Sequence, residues 1–208
     1  MMIKGRGRGR GIVSMLKKPG PEPKKEKSIH EYIQELHIGE IQSTFDFVRR
    51  PSARSQDILD ETVSEVCSRA LKETDFADVA ASLLQKLWVL DQPNNLSIRK
   101  PLLSRVQKLY QGRNELTDEE FQGYSALLCE LFSTLKILDE PLKALVGPVF
   151  NVMKGLLDRA KKSLDSMLTF HVLLLKHGSH LERENKVMAI SPHLFILLLE
   201  PPSYLQFW

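Results

Sequence analysis

Apolar side chains recur every three or four residues along most of this chain, and no stretch keeps a two-residue alternation, so the pattern predicts α-helices and no sheet. Ile58, Thr62, Val66 and Ala70 mark the first long helix, which starts at about Asp57. The second starts behind a Thr74 or Asp75 cap, with Phe76, Val79, Ala80, Leu83, Leu87 and Leu90 in one stripe and Leu84 and Trp88 beside it, a helix that packs in two directions. Pro101 suits a first helical turn, so the third helix begins near Arg99 or Lys100 and gathers Leu102, Leu103, Val106, Leu109 and Tyr110 on one side. Thr117 followed by Glu120 has the spacing of a capping box ahead of Phe121, Tyr124, Leu128, Leu131, Phe132 and Leu135. Asp139 to Pro141 stops that helix and begins another, which carries Leu142, Leu145, Val146, Val149, Met153 and Leu156 and is expected to kink at Gly147 and Pro148. A sixth helix from Ser163 shows Leu164, Met167, Leu168, Leu174 and Leu175.

Flanking segments break this texture. Residues 1–27 hold "GRGRGRG" and "KKPGPEPKKEK", poor in core formers, and are expected to be a disordered tail. Residues 28–56 are read as one short amphipathic helix, with Ile29, Tyr32, Ile33 and Leu36 behind a Ser28 cap, followed by a basic linker at Arg49 to Ser55. The helical-repeat domain is set at 57–186. Residues 187–208 form an apolar tail with neither a clear helical period nor a polar outer side. Helices of roughly fifteen to twenty residues joined by short polar turns stack as antiparallel hairpins, in a solenoid or a bundle; periodicity alone does not separate the two.

Composition narrows the chemistry. The 208 residues suffice for one domain with long ends, and a formal charge of +3 is too small for the whole molecule to act as a generic polyanion binder, so any basic function is local. Two distant cysteines, Cys67 and Cys129, support neither a zinc ribbon nor a disulfide framework; they read as small buried side chains in a reducing compartment. Glycine and arginine, with no long apolar run, open the chain, which argues against a secretory signal. The apolar run "FILLLE" at Phe195 to Glu200 is far shorter than a membrane span, which needs about 18 residues. The expected location is the cytoplasm, with the nucleus also open.

The basic side of the third helix, Lys100, Ser104, Arg105 and Lys108, has two readings: the wet back of a core helix, or a docking face for an acidic partner or RNA. Lys100, Arg105, Lys108 and Arg113 are the candidate partner-binding residues, because no acidic residue offsets them before Glu115; no aromatic is interleaved for base stacking. Arg6, Arg8 and Arg10, on a glycine backbone, are candidate RNA contacts without sequence preference, against the alternative of an inert solubilising tail. Ser52 and Ser55 lie among Arg49, Arg50 and Arg54 in a setting that suits phosphate acceptance, although a plain linker is the simpler account. No metal is expected at His171, His177 and His180 with Glu182 and Glu184, since His171 falls on the apolar side as a core histidine and the other two point away. No catalytic motif and no cofactor signature appears, so the chain reads as a non-enzyme.

"RKPLLSRVQKLYQ", "FQGYSALLCELFSTLKI", "KALVGPVFNVMKGLLD" and "SMLTFHVLLLKHGSHLE", in that order, resemble the HEAT-type domain family named after the middle portion of translation initiation factor 4G. Nearest are its small stand-alone members, of the kind that act with the histone stem-loop-binding protein or the cap-binding complex, through the "GRNEL" turn and the "ALVGPVF" segment. The resemblance covers about Asp57 to Lys186. It implies an all-α, HEAT-like α-solenoid of stacked helix hairpins that recruits translation initiation factors or mRNA-end and cap-associated proteins, with RNA contact in some members and no catalytic residue. The alternative is a helical adaptor in trafficking or signalling. Such domains have about five helix pairs and this chain offers roughly three, so the stack is expected to be shortened at its C-terminus, leaving Leu173, Phe195 and Leu197 to Leu199 partly exposed and the product prone to self-association.

Overall fold

A computed structural model describes residues 27–50, 55–89, 97–137 and 140–184. The first helix, α1 (Ile29–Gln34), is started by a capping box: the Ser28 hydroxyl accepts from the Glu31 amide while the Glu31 carboxylate accepts from the Ser28 amide at 2.7 Å. A 3₁₀ turn leads into α2 (Ile41–Arg49), which buries Ile41, Thr44, Phe45, Phe47 and Val48. This helix is absent from the expectation of a single helix and linker before residue 57. Its stripe is short and ends beside Arg49 and Arg50, where the basic residues and Pro51 dominate the pattern.

Then come α3 (Gln56–Lys72), capped by the Ser55 hydroxyl on the Ile58 amide, and α4 (Ala77–Val89), entered through a 3₁₀ turn at Thr74–Phe76. Next are α5 (Arg99–Gln111) and α6 (Asp118–Thr134), the latter begun by the predicted capping box, with Glu120 accepting from the Thr117 amide at 3.0 Å and Thr117 accepting from the Glu120 amide at 3.2 Å. Lys136–Ile137 (β1) and Glu140–Pro141 (β2) then pair as a minimal antiparallel ladder, with Lys136 opposite Pro141. A 3₁₀ turn delivers α7 (Val146–Ala160), and α8 (Leu164–Glu184) completes the described chain. Gly147 and Pro148 fall in the first turn of α7, where the proline's missing amide costs nothing, so they start a helix instead of kinking one.

Packing follows a repeat. α1 lies on α3 and α3 on α5, while α2 lies on α4, α4 on α6 and α6 on α8, so α1, α3 and α5 form one layer and the even helices the other, with α7 packed on α6 and α8 at the end of the stack. The fold is an all-α stack of antiparallel hairpins. α1 and α2 share this one core: Ile29, Ile33, Phe45 and Val48 are buried in it with Val66, Leu83 and Leu128. Arg69 ties α1 to α3 by donating to the carbonyls of Ile33 (2.7 Å) and Leu36 (3.0 Å) at the end of α1, with its guanidinium 4.0 Å from the Phe76 ring.

Two glycines set the closest approaches. A Cβ at Gly123 would lie 2.3 Å from the Ala70 carbonyl oxygen, so only glycine lets α6 come this near the end of α3. A Cβ at Gly155 would lie 2.6 Å from the Phe121 ring, which rests on α7 there and carries the Arg159 guanidinium 3.8 Å above it.

The terminal helix differs from its expected phase. α8 buries Ser166, Phe170, Leu173, His177 and Leu181, and turns Leu164, Leu168, Val172 and Leu175 outward, 54%, 52%, 58% and 74% exposed. Leu173 is therefore a core residue, not an exposed one. His171 is exposed and His177 is buried, the reverse of the expectation, because periodicity fixes which residues share a side but not which side meets a neighbour. Phe195 and Leu197 to Leu199 lie outside the described residues.

Candidate protein-interaction surfaces

The basic face of α5 is built by its amphipathic period: Leu102, Val106 and Leu109 go into the core, and Lys100, Ser104 and Lys108 are left in water. Of the four cations expected there, the structure places only Lys100 and Lys108 fully outward. Eight residues of helical rise set them about 12 Å apart along the axis. Arg105 leans inward against α3: a terminal guanidinium nitrogen reaches the Ser68 hydroxyl at 3.4 Å and its Nε is buried without a hydrogen-bond partner. Arg113 folds back, donating to the Tyr110 carbonyl at 2.8 Å with its guanidinium 4.2 Å from the Tyr110 ring. The structure thus does not bring the four together as one outward constellation. Arg6, Arg8, Arg10 and Ser52 lie outside the described residues, and Ser55 serves as the cap of α3.

The second surface is the outward stripe of α8: an exposed apolar end is expected from the sequence, but at Leu173, Phe195 and Leu197 to Leu199, and not at the four residues that form this stripe. Its four apolar side chains are most of the large hydrophobic residues exposed among the described residues. The signal in the sequence is a leucine-rich run, which periodicity by itself assigns to the core.

Between these surfaces lies a buried polar cluster. Glu130 on α6 accepts from Lys176 at 2.5 Å and meets His177 Nε2 at 3.1 Å, while His177 Nδ1 lies 2.6 Å from the Ser133 hydroxyl. Burial by itself would raise the Glu130 carboxyl, but the hydrogen bonds from His177 and Lys176 outweigh it and hold the group below its ordinary value. A serine, a histidine and a glutamate in a row are the residue types of a nucleophile relay. Here the histidine is only 2% exposed and faces the α6–α8 interface, and the serine hydroxyl donates to the Cys129 carbonyl of its own helix at 3.1 Å, so the cluster joins two helices. Gln122 extends it by donating to Ser166 at 3.1 Å.

Both cysteines are buried. Burial pushes the Cys67 thiol up to about 12, with Arg105 pulling the other way, and raises Cys129, helped by the negative charge of Glu130; both stay protonated and unreactive. Among the described residues no group of three histidines, cysteines or carboxylates stands together, and no helix is long and apolar enough to cross a membrane.

Taken together, stacked hairpins, a cationic face on α5 and an apolar end define a helical-repeat domain. No family model matches the chain. Its curated homologues bear out the resemblance. The CBP80/20-dependent translation initiation factor of Xenopus tropicalis is 30% identical over 144 residues, 67% of this chain and 24% of that protein. The human MIF4G domain-containing protein is 26% identical over 133 residues, 61% of this chain and 60% of that protein, and the mouse protein of the same name is 27% identical over 146 residues, 67% and 65%. The chain thus spans about a quarter of the frog factor and less than two thirds of the MIF4G domain-containing proteins. It carries a helical domain related to translation factors.

Proposed function

We propose that the chain is a non-catalytic scaffold that recruits translation initiation factors or mRNA-end and cap-associated proteins through the α5 face. The observation that carries this reading is the pair Lys100 and Lys108: both are exposed, and neither has an ion-pair partner among the described residues. Unneutralised charge on a rigid helix steers an acidic partner at little cost, because the supporting side chains are already fixed. Arg105 and Arg113 act in support, holding α5 against α3 and shaping the turn after it. The names of the relatives supply the class of partner.

Weak RNA contact through Arg6, Arg8 and Arg10 and residence in the cytoplasm, with a nuclear pool, belong to the same proposal. The experiment is affinity purification with and without ribonuclease, comparing the unaltered chain with Lys100→Glu/Lys108→Glu. The double variant is expected to melt like the parent and to lose initiation or mRNA-end factors at least ten-fold. Undiminished recovery overturns the α5 face. Recovery of trafficking or signalling proteins in place of translation factors supports the adaptor reading instead.

A further inference from the structure

The outward stripe of α8 lies opposite the side that packs on α6, where a following hairpin of the same stack would sit. Leu164, Leu168, Val172 and Leu175 all belong to it. Together they form an apolar patch of a few hundred Å², comparable to the largest patch on a typical monomer, which is often functional. No lysine, arginine or carboxylate falls within the stripe, and His171 and Asp165 border it on either side.

We propose that the occupant of this face is the chain's own segment Ser191–Glu200, folded back along α8. Reach and length suit it. From Glu184 to Leu194 the chain can extend about 33 Å, whereas Leu175 lies only about 13 Å back along the helix. The uninterrupted apolar run Leu194–Leu199 spans about 20 Å when extended, close to the roughly 16 Å from Leu164 to Leu175.

The apolar run carries no charge to desolvate, since Lys186 and Glu200 are the only charged side chains between 185 and 208 and both lie outside it, and on α8 the exposed Asp165 stands at the edge of the stripe, where its carboxylate can stay in water. A second copy of α8 on this face would have to be recruited from bulk solution and would leave the apolar run Leu194–Leu199 unused. The tethered segment covers both surfaces at once, and covalent linkage gives it an effective concentration of about millimolar. The proposal goes beyond the recruiting role and does not depend on it, since α5 takes no part.

The test places the photo-crosslinker p-benzoylphenylalanine at Leu168 in the full chain, with sizing of the products and mass spectrometry of the linked peptides. The expected product is a monomer internally linked to a peptide from Ser191–Glu200, at least five-fold above the yield with the crosslinker at Ser104 on α5. In the tail variant Leu197→Asp/Leu198→Asp, which leaves residues 27–184 unaltered, this product should fall to the Ser104 background. A link between two chains, a link to another protein, a yield no higher than at Ser104, or persistence of the internal link in the tail variant each overturns the proposal.

Discussion

α6 and α8 are both long, leucine-rich helices, of 17 and 21 residues, and their apolar periodicity looks alike, yet their surroundings are opposite. α6 is enclosed by α3, α4, α7 and α8 and buries every residue from Phe121 to Phe132, polar Gln122, Ser125 and Glu130 included. α8 packs chiefly on α6 and α7 and leaves four large apolar side chains outside. The number of neighbours, more than the pattern, decides what a leucine contributes. In a quasi-one-dimensional stack a middle helix is held from several sides and a terminal one from few.

The comparison breaks most readily at Gly123. Gly123→Ala puts a methyl group into the Ala70 carbonyl, so α3 and α6 must separate. A loss of about 3 kcal/mol is expected in denaturant unfolding, and an unchanged midpoint would mean that the approach is looser than described. Next is the link between the two helices. Glu130→Gln weakens the bonds to His177 and Lys176, and the expected cost near neutrality is about 2 kcal/mol, in the range for buried hydrogen bonds to charged groups.

The pH dependence has a definite sign. The folded carboxyl titrates below its unfolded value, so its stabilisation is present above about pH 4.5 and lost as the pH falls further. The gap between parent and variant in thermal melts should close over that interval. The smallest expected effect is at the start of α6, where Thr117→Ala removes one half of the capping box for about 1 kcal/mol, measurable as a shift in urea midpoint with unchanged slope.

Much of this is legible in the sequence where local chemistry and tertiary contact agree. The Thr117 and Glu120 capping box, the two-sided burial of α4 and the core face of α5 are as expected, because each is set by spacing within one helix. Periodicity reads α8 inside out for a physical reason: its outward side is richer in leucine than its inward side, which includes Ser166 and His177 and compensates through hydrogen bonds to Gln122, Glu130 and Ser133 on α6. Such partners are 44 to 47 positions away, beyond any helical period. The same holds for the candidate site. Lys100 and Lys108 are outward as the period dictates, but a guanidinium reaches far enough to choose a neighbour, so Arg105 and Arg113 turn to Ser68 and Tyr110 without any warning in their spacing.

Because each hairpin leans chiefly on the one beside it, the stack has a mechanical grain. A tether pulling from residue 184 would load α8 first, and α7 and α8 should come away together as one early extension step while the six helices before them hold, so a single all-or-none rip in an optical trap would deny that ordering.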